Sequence, residues 1–343
     1  MKKLLNTLYV TSPNTYLALD GENVVVRKEE QDMLRLPLHN LEGIVTFGYT
    51  GASPALMGAC AKSNIGLCFL TANGHFLARV QGKTRGNVLL RKTQYRVSEC
   101  PNSSLGIAKS MMIGKLFNTR WVIERATRDH GLRLDVNKLK SASRQIQQSL
   151  EQVPKCQTLE ELRGVEGEGA MRYFGVFDDL ILQQKEDFTF TGRNRRPPLD
   201  KVNALLSFVY MLLSNDTASA LETVGLDPYV GFLHRDRPGR ASLALDVMEE
   251  LRPVMADRFV LSLINKREVN SKGFTVQENG AVIMDDTTRK TVLNAWQTRK
   301  QETITHPFLE EKIQWGLLPY VQSMLLARYL RGDLDGYPPF LWK

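Results

Sequence analysis

A chain of 343 residues, 43% hydrophobic and 24% charged, has the composition of a folded globular protein and the length for one large domain or two ordinary ones. Its net charge of +8 and pI of about 9.3 favour an anionic partner, nucleic acid ahead of a membrane surface. No stretch reads as the roughly 18 apolar residues of a membrane span, and the four cysteines show no Cys-x-x-Cys pairing, which argues against a disulfide framework and a thiolate zinc site alike.

The opening MKKLLNTLYV has the start of a secretory leader, but TSPNTYLALDGEN follows where an apolar region and cleavage site belong. A cytoplasmic protein with reduced thiols is expected. LNTLYVTS, TYLALD, NVVVRK, LRLPL and GIVTFG are short β-type runs, and DGEN at 20–23 marks a hairpin between two of them. SPALMGACAKSN (53–64) has helical spacing, and GLCFLTANGHFLARV reads as two strands around an Asn-Gly turn at 73–74.

From about Ser104 the texture changes to long segments with apolar residues at i, i+3, i+4 and i+7. Helices are expected over 105–130, 136–153, 158–181 and 200–224, in a helix opened by Leu243, and over 311–333, with breaks at His130-Gly131 and between Gly192 and Pro198. The expected architecture is α+β: a β-rich domain over 1–103 and a larger all-helical domain over 104–343, with no internal repeat.

The chemistry-bearing residues gather in the helical part. In GFLHRDRPGRASLALDVMEELRPVMADR (231–258) a polar loop carrying His234 leads into a helix that sets Asp246 and Glu249 on one side, at i and i+3, with Glu250 beside them. Acids this close repel unless a cation, a basic residue or a proton offsets them. LRGVEGEGAMRYF adds Glu166 and Glu168, of which only one can join a given site, because residues two apart on a helix diverge.

A histidine and acids from separate segments suit a hard divalent cation, Mg²⁺ or Mn²⁺, able to activate an attacking oxygen beside a phosphate. The same acids also suit a solvated face paired with Arg252 and Arg258, with His234 structural. TGRNRRPPLD (191–200) places Arg193, Arg195 and Arg196 in a proline-stiffened loop fit either to meet phosphates or to link two helices. The segment KSMMIGKLFNTRWVIERATR carries Lys109, Lys115, Arg120, Arg125 and Arg128, with Phe117 and Trp121 read as core. No phosphate-cradling P-loop, G-x-G-x-x-G or G-x-S-x-G motif is present.

Three stretches, LRGVEGEGAMRYF, RNRRPPLDKVNALLSFVYMLL and LDPYVGFLHRDRPGRASLALDVMEELRPVMADRFV, in that order and spacing, resemble the CRISPR-associated integrase family Cas1, particularly its subtype I-C branch. LNTLYVTSPNTYLALDGENVVV is similar to that family's opening strands. The resemblance spans essentially the whole chain and implies an N-terminal β-sandwich-like domain, a helical catalytic domain and a homodimer.

It further implies a partner, Cas2, and insertion of short duplex DNA into a CRISPR repeat array by attack of a 3′-hydroxyl on a phosphodiester. The family's metal ligands, carried over motif by motif, fall on Glu166, His234 and Glu249, with Asp246 the neighbouring catalytic acid. Many members have aspartate where this chain has Glu249, so Asp246 or Glu250 stays open as a partner in ligation. A structure-selective metal-dependent nuclease and a non-catalytic DNA-binding scaffold are the competing readings.

Overall fold

The computed structural model describes residues 5–29, 31–72, 74, 76–83 and 88–343. Residues 1–4 of the leader-like opening and Asn73 of the expected turn lie outside the described residues. The chain forms two compact units, one of residues 1–85 with 284–302, the other of 86–283 with 303–343.

The first unit holds two four-stranded sheets. In one, β1 (Asn6–Val10), β5 (Leu41–Phe47) and β7 (Gly66–Leu70) run parallel, and β8 (Phe76–Val80) closes antiparallel against β7. The other has the order β4 (Gln31–Pro37), β3 (Asn23–Lys28), β2 (Thr15–Asp20), β6 (Gly51–Ala52). The expected hairpin is there: Asp20 pairs with Asn23, and Gly21 takes φ +59° in the turn, a left-handed conformation that glycine adopts without a Cβ penalty. Leu17, Val24 and Val26 of one sheet share a buried core with Val10, Ile44 and Leu67 of the other. Leu56 and Cys60 of α1 (Pro54–Ser63) complete it.

The second unit is helical: α2 (Val88–Glu99), α3 (Pro101–His130), α4 (Val136–Gln152), α5 (Leu159–Phe174), α6 (Lys201–Val224), α7 (Ser242–Glu249), α8 (Arg258–Asn265) and α10 (Leu318–Leu330). The remaining helix, α9 (Asp286–Gln301), belongs to the first unit. Side-chain caps set the helix starts. Asp135, Thr158 and Asp200 accept from the backbone N–H three residues on, at α4, α5 and α6. Glu161 returns a bond to the Gln157 N–H at 2.7 Å, which pins the first turn of α5.

Five expectations change, the first being that the helix expected over 158–181 ends at Phe174. The units divide at 85/86, ahead of the expected 103, because α2 belongs to the helical unit: its buried Gln94 donates to the Asp227 and Val230 carbonyls at 2.8 and 2.9 Å. The β-rich unit recruits α9, far along the chain. The expected 311–333 helix is α-helical only over Leu318–Leu330, after a 3-10 turn at Trp315–Leu317, because Lys312–Gln314 pairs with Thr303–Thr305 as a two-stranded ribbon. Finally, α6 is long and apolar enough to cross a membrane by length and composition, contrary to the sequence expectation; in the fold it is a core helix with 61% of its apolar window buried.

Candidate functional site

The site lies entirely in the second unit, where α3, α5 and α7 meet the loop 231–234. Asp246 organises that loop. Its carboxylate accepts the backbone N–H groups of Phe232 (2.6 Å), Leu233 (2.9 Å) and His234 (3.0 Å), and it meets His234 Nδ1 at 2.5 Å. The loop closes this tightly because residue 231 is glycine: a Cβ there would stand 2.7 Å from Asp246 Oδ2. With Nδ1 on Asp246, Nε2 is the ring nitrogen turned toward the two glutamates, and it faces Glu249 Oε1 at 3.8 Å.

Arg163 ties the same loop to α5, its guanidinium donating to the Leu233 carbonyl at 2.6 and 3.1 Å. One turn further on the same helix stands Glu166. Its carboxylate contacts the Lys115 ammonium from α3, and that ammonium lies 2.7 Å from Glu249 Oε2. Arg252, just past α7, pairs with Glu249 Oε1 at 2.7 Å. Glu166, Glu249 and His234 thus converge from two helices and a loop on one spot, with two cations among them.

The electrostatics follow from that packing. Burial alone pushes the Glu249 carboxyl up, but Arg252, Lys115 and His234 together reverse this and hold it down at about 2. Burial pulls the Lys115 ammonium down, and Glu249 and Glu166 more than offset it, so it stays charged. Arg252 is fixed from its other side by the Tyr210 ring at 5.0 Å. Beyond it, burial lifts the Asp257 carboxyl to about 6 despite the Tyr210 hydroxyl donating to it at 2.6 Å. The segment Arg252–Asp257 is a π-helical turn between α7 and α8, a local widening of the helix that recurs at functional sites.

Several expected residues sit elsewhere. Glu250 is fully buried, accepting from the Phe340 N–H at 2.7 Å and Gln322 at 3.0 Å and contacting Tyr337, so its carboxylate is engaged by the C-terminal segment and Gln322. Both oxygens of Asp246 are spent on the histidine and its loop, so this acid positions His234. Glu168 points out and pairs with Arg172. Arg193 turns inward, bonding Asn203 at 2.6 Å and Ser207 at 3.2 Å, which leaves Arg195 and Arg196 as the exposed members of that loop. Arg258 lies 4.3 Å over the Trp342 ring.

Sequence reasoning placed Lys115 on a basic helix but not at the site, and it missed Arg163. Neither leaves a local signal, since each contact joins residues about fifty or more positions apart.

Among the described residues no three histidine, cysteine or acidic side chains already stand at the spacing of ligands on one ion, because the Lys115 ammonium separates Glu166 from Glu249. The donor set nonetheless fits a hard divalent cation: two carboxylates and an imidazole nitrogen whose tautomer is fixed. Glu249 Oε2 is buried without a well-directed hydrogen bond, its contact with Lys115 being one of charge.

The chain matches the CRISPR associated protein Cas1 family over residues 8–298. It is 53% identical to a CRISPR-associated endonuclease Cas1 of Rhodospirillum rubrum and 50% identical to one of Chlorobaculum tepidum, each covered in full along with all of this chain. Its fold is similar to that of a casposase bound to integration product, with a TM-score of 0.84 and 23% identity over 99% of this chain and 95% of that one. The chain belongs to the Cas1 family of CRISPR-associated endonucleases.

Proposed function

We propose that this endonuclease works as a metal-dependent DNA integrase of CRISPR adaptation. The observation that carries the reading is the convergence of Glu166, His234 and Glu249, with the histidine's tautomer set by Asp246. Glu166, His234 and Glu249 would hold Mg²⁺ or Mn²⁺, which when bound polarises a phosphodiester and makes a hydroxyl a better nucleophile at neutral pH. A DNA 3′-hydroxyl oxygen forms the new bond to phosphorus as the bond to the leaving 3′-oxygen breaks; the attacking hydroxyl gives its proton to solvent and the leaving oxygen takes one up from solvent, and no protein side chain becomes covalently attached.

Arg252, held by Glu249 and the Tyr210 face, supplies positive charge beside the site where the phosphate gains charge. Arg195 and Arg196 are the proposed backbone contacts to DNA, with Arg193 bracing their loop. With water as nucleophile the same site cuts DNA, which accords with the name endonuclease borne by the relatives. The family resemblance supports a homodimer, Cas2 as partner, duplex DNA as substrate, dimer and partner contacts through the β-rich unit, a cytoplasmic location and a subtype I-C-like placement.

The test is strand transfer of a short duplex into a supercoiled repeat-bearing plasmid with Mg²⁺ or Mn²⁺, beside a DNA-binding measurement. Glu166→Ala, His234→Ala and Glu249→Ala should each lose roughly two orders of magnitude in strand transfer while DNA binding largely survives. Glu168→Ala, outside the site, should behave as the native protein. Hydrolysis without transfer would leave the nuclease alone, and wild-type-like transfer by His234→Ala would sink the site.

A further inference from the structure

We propose that the Lys115 ammonium is a built-in stand-in for the divalent cation, holding Glu166 and Glu249 together in the metal-free protein and leaving when the metal enters. The inference rests on the metal site proposed above and goes beyond it by assigning a residue to the metal-free state.

Lys115 reaches the site from α3, a different helix from those carrying the two glutamates. Its side chain is only 12% exposed. Its ammonium touches Glu166 Oε1 and lies 2.7 Å from Glu249 Oε2, so one cation joins two carboxylates from two helices. Two such carboxylates, Glu249 only 4% exposed, would repel across this short span with nothing between them. The second cation is of another kind. Arg252 grips the other oxygen of Glu249 at 2.7 Å while the Tyr210 ring backs its guanidinium, so it is held in place.

Lysine differs in that it is a point charge on a flexible four-carbon stem. The ammonium is hydrogen-bonded to Glu166, whereas the Glu249 oxygen it faces has no well-directed hydrogen bond, so charge alone ties it to that second carboxylate. A divalent ion bound by the same two carboxylates could not share the spot with it, because like charges a few ångströms apart repel strongly at a buried site. Metal binding therefore competes with the lysine. The device keeps the three helices together before metal arrives and sets a threshold for loading.

The test has three arms on the full-length protein, none of which reads activity. First, Mn²⁺ binding is followed by the electron paramagnetic resonance of the free ion. Lys115→Met, which keeps the stem and removes the charge, should lower the Mn²⁺ Kd by at least about tenfold while lowering the melting temperature in EDTA by several degrees. An unchanged or weaker affinity would overturn the proposal.

Second, in case that variant does not fold, the native protein is reductively methylated and Lys115 followed by mass spectrometry. Modification should be slow in EDTA and rise severalfold on adding Mg²⁺, since displacement exposes the amine. Equal labelling in both conditions would overturn the proposal. Third, His234→Ala separates the two readings. If it binds Mn²⁺ as tightly as the native protein, the metal site is misplaced and the lysine inference falls with it. If it loses Mn²⁺ while Lys115→Met gains nothing, the site stands and only the stand-in fails.

Discussion

Asp246 lies under the loop that carries His234 and is its main anchor. Four contacts converge on its two oxygens, three from backbone N–H groups and one from the His234 ring, and it is fully buried. Asp246→Asn keeps the size but exchanges one acceptor oxygen for an N–H₂ donor, so at least one of these contacts becomes donor against donor. The histidine then loses its fixed tautomer. Strand transfer should fall by roughly 10- to 100-fold and Mn²⁺ affinity should weaken with it, while Glu166 and Glu249 stay in place. Native Mn²⁺ affinity in the variant would show that the imidazole needs no such partner. This much was half legible in sequence: the spacing of Asp246 and Glu249 put both acids on one side of a helix, but no spacing rule says which points to the histidine and which to the lysine.

At the scale of elements, α7 is anchored at its C-terminal end by an acid that the sequence left open as a ligand. Glu250 meets Tyr337, Gln322 and the Phe340 N–H, and Asn118 of α3 adds bonds to the Glu250 carbonyl at 2.7 Å and the Phe340 carbonyl at 2.8 Å. Burial dominates its titration: the carboxyl is lifted from 4.5 to about 7, with Tyr337, Gln322 and the Phe340 N–H only partly opposing this. A raised folded-state value means the folded protein holds its proton more tightly than the unfolded chain. The resulting stability is complete below about pH 4.5 and is lost as pH rises through about 7. Glu250→Gln removes the titration. Its unfolding free energy relative to the native protein should therefore improve between pH 4.5 and 8, by an amount on the order of 3 kcal/mol. A difference that does not vary with pH in urea unfolding would refute this. The helix itself was readable from its apolar run, whereas the C-terminal segment that covers Glu250 carries no periodic pattern to announce it.

For the whole molecule, the change of texture near Ser104 gave the order, strands first and helices after, because periodicity is a local property that each segment carries in its own residues. It could not give the boundary, because membership of a unit is decided by long-range contacts. The clearest case is α9, whose Trp296, Val292 and Leu293 are buried and whose Gln297 donates to the Thr7 carbonyl at 2.8 Å, on β1. Lys300, only 2% exposed, lies 3.2 Å from Glu42 on β5, and Arg289 stacks 5.9 Å from the Phe47 ring.

A fragment of residues 1–103, the domain expected from sequence alone, would thus lack the helix that covers one side of its parallel sheet. It would also carry α2, whose Gln94 has its partners in the other unit. Such a fragment should unfold without a cooperative transition, as a core missing one of its walls does. Residues 1–85 joined by a flexible linker to 284–302 should recover a sigmoidal urea transition, followed through the fluorescence of Trp296, which is fully buried in the intact unit. Cooperative unfolding of 1–103 on its own would show that α9 only rests on the β-rich unit and that the expected boundary is the better one; a linked polypeptide that stays unfolded would mean that this unit needs the helical unit to fold.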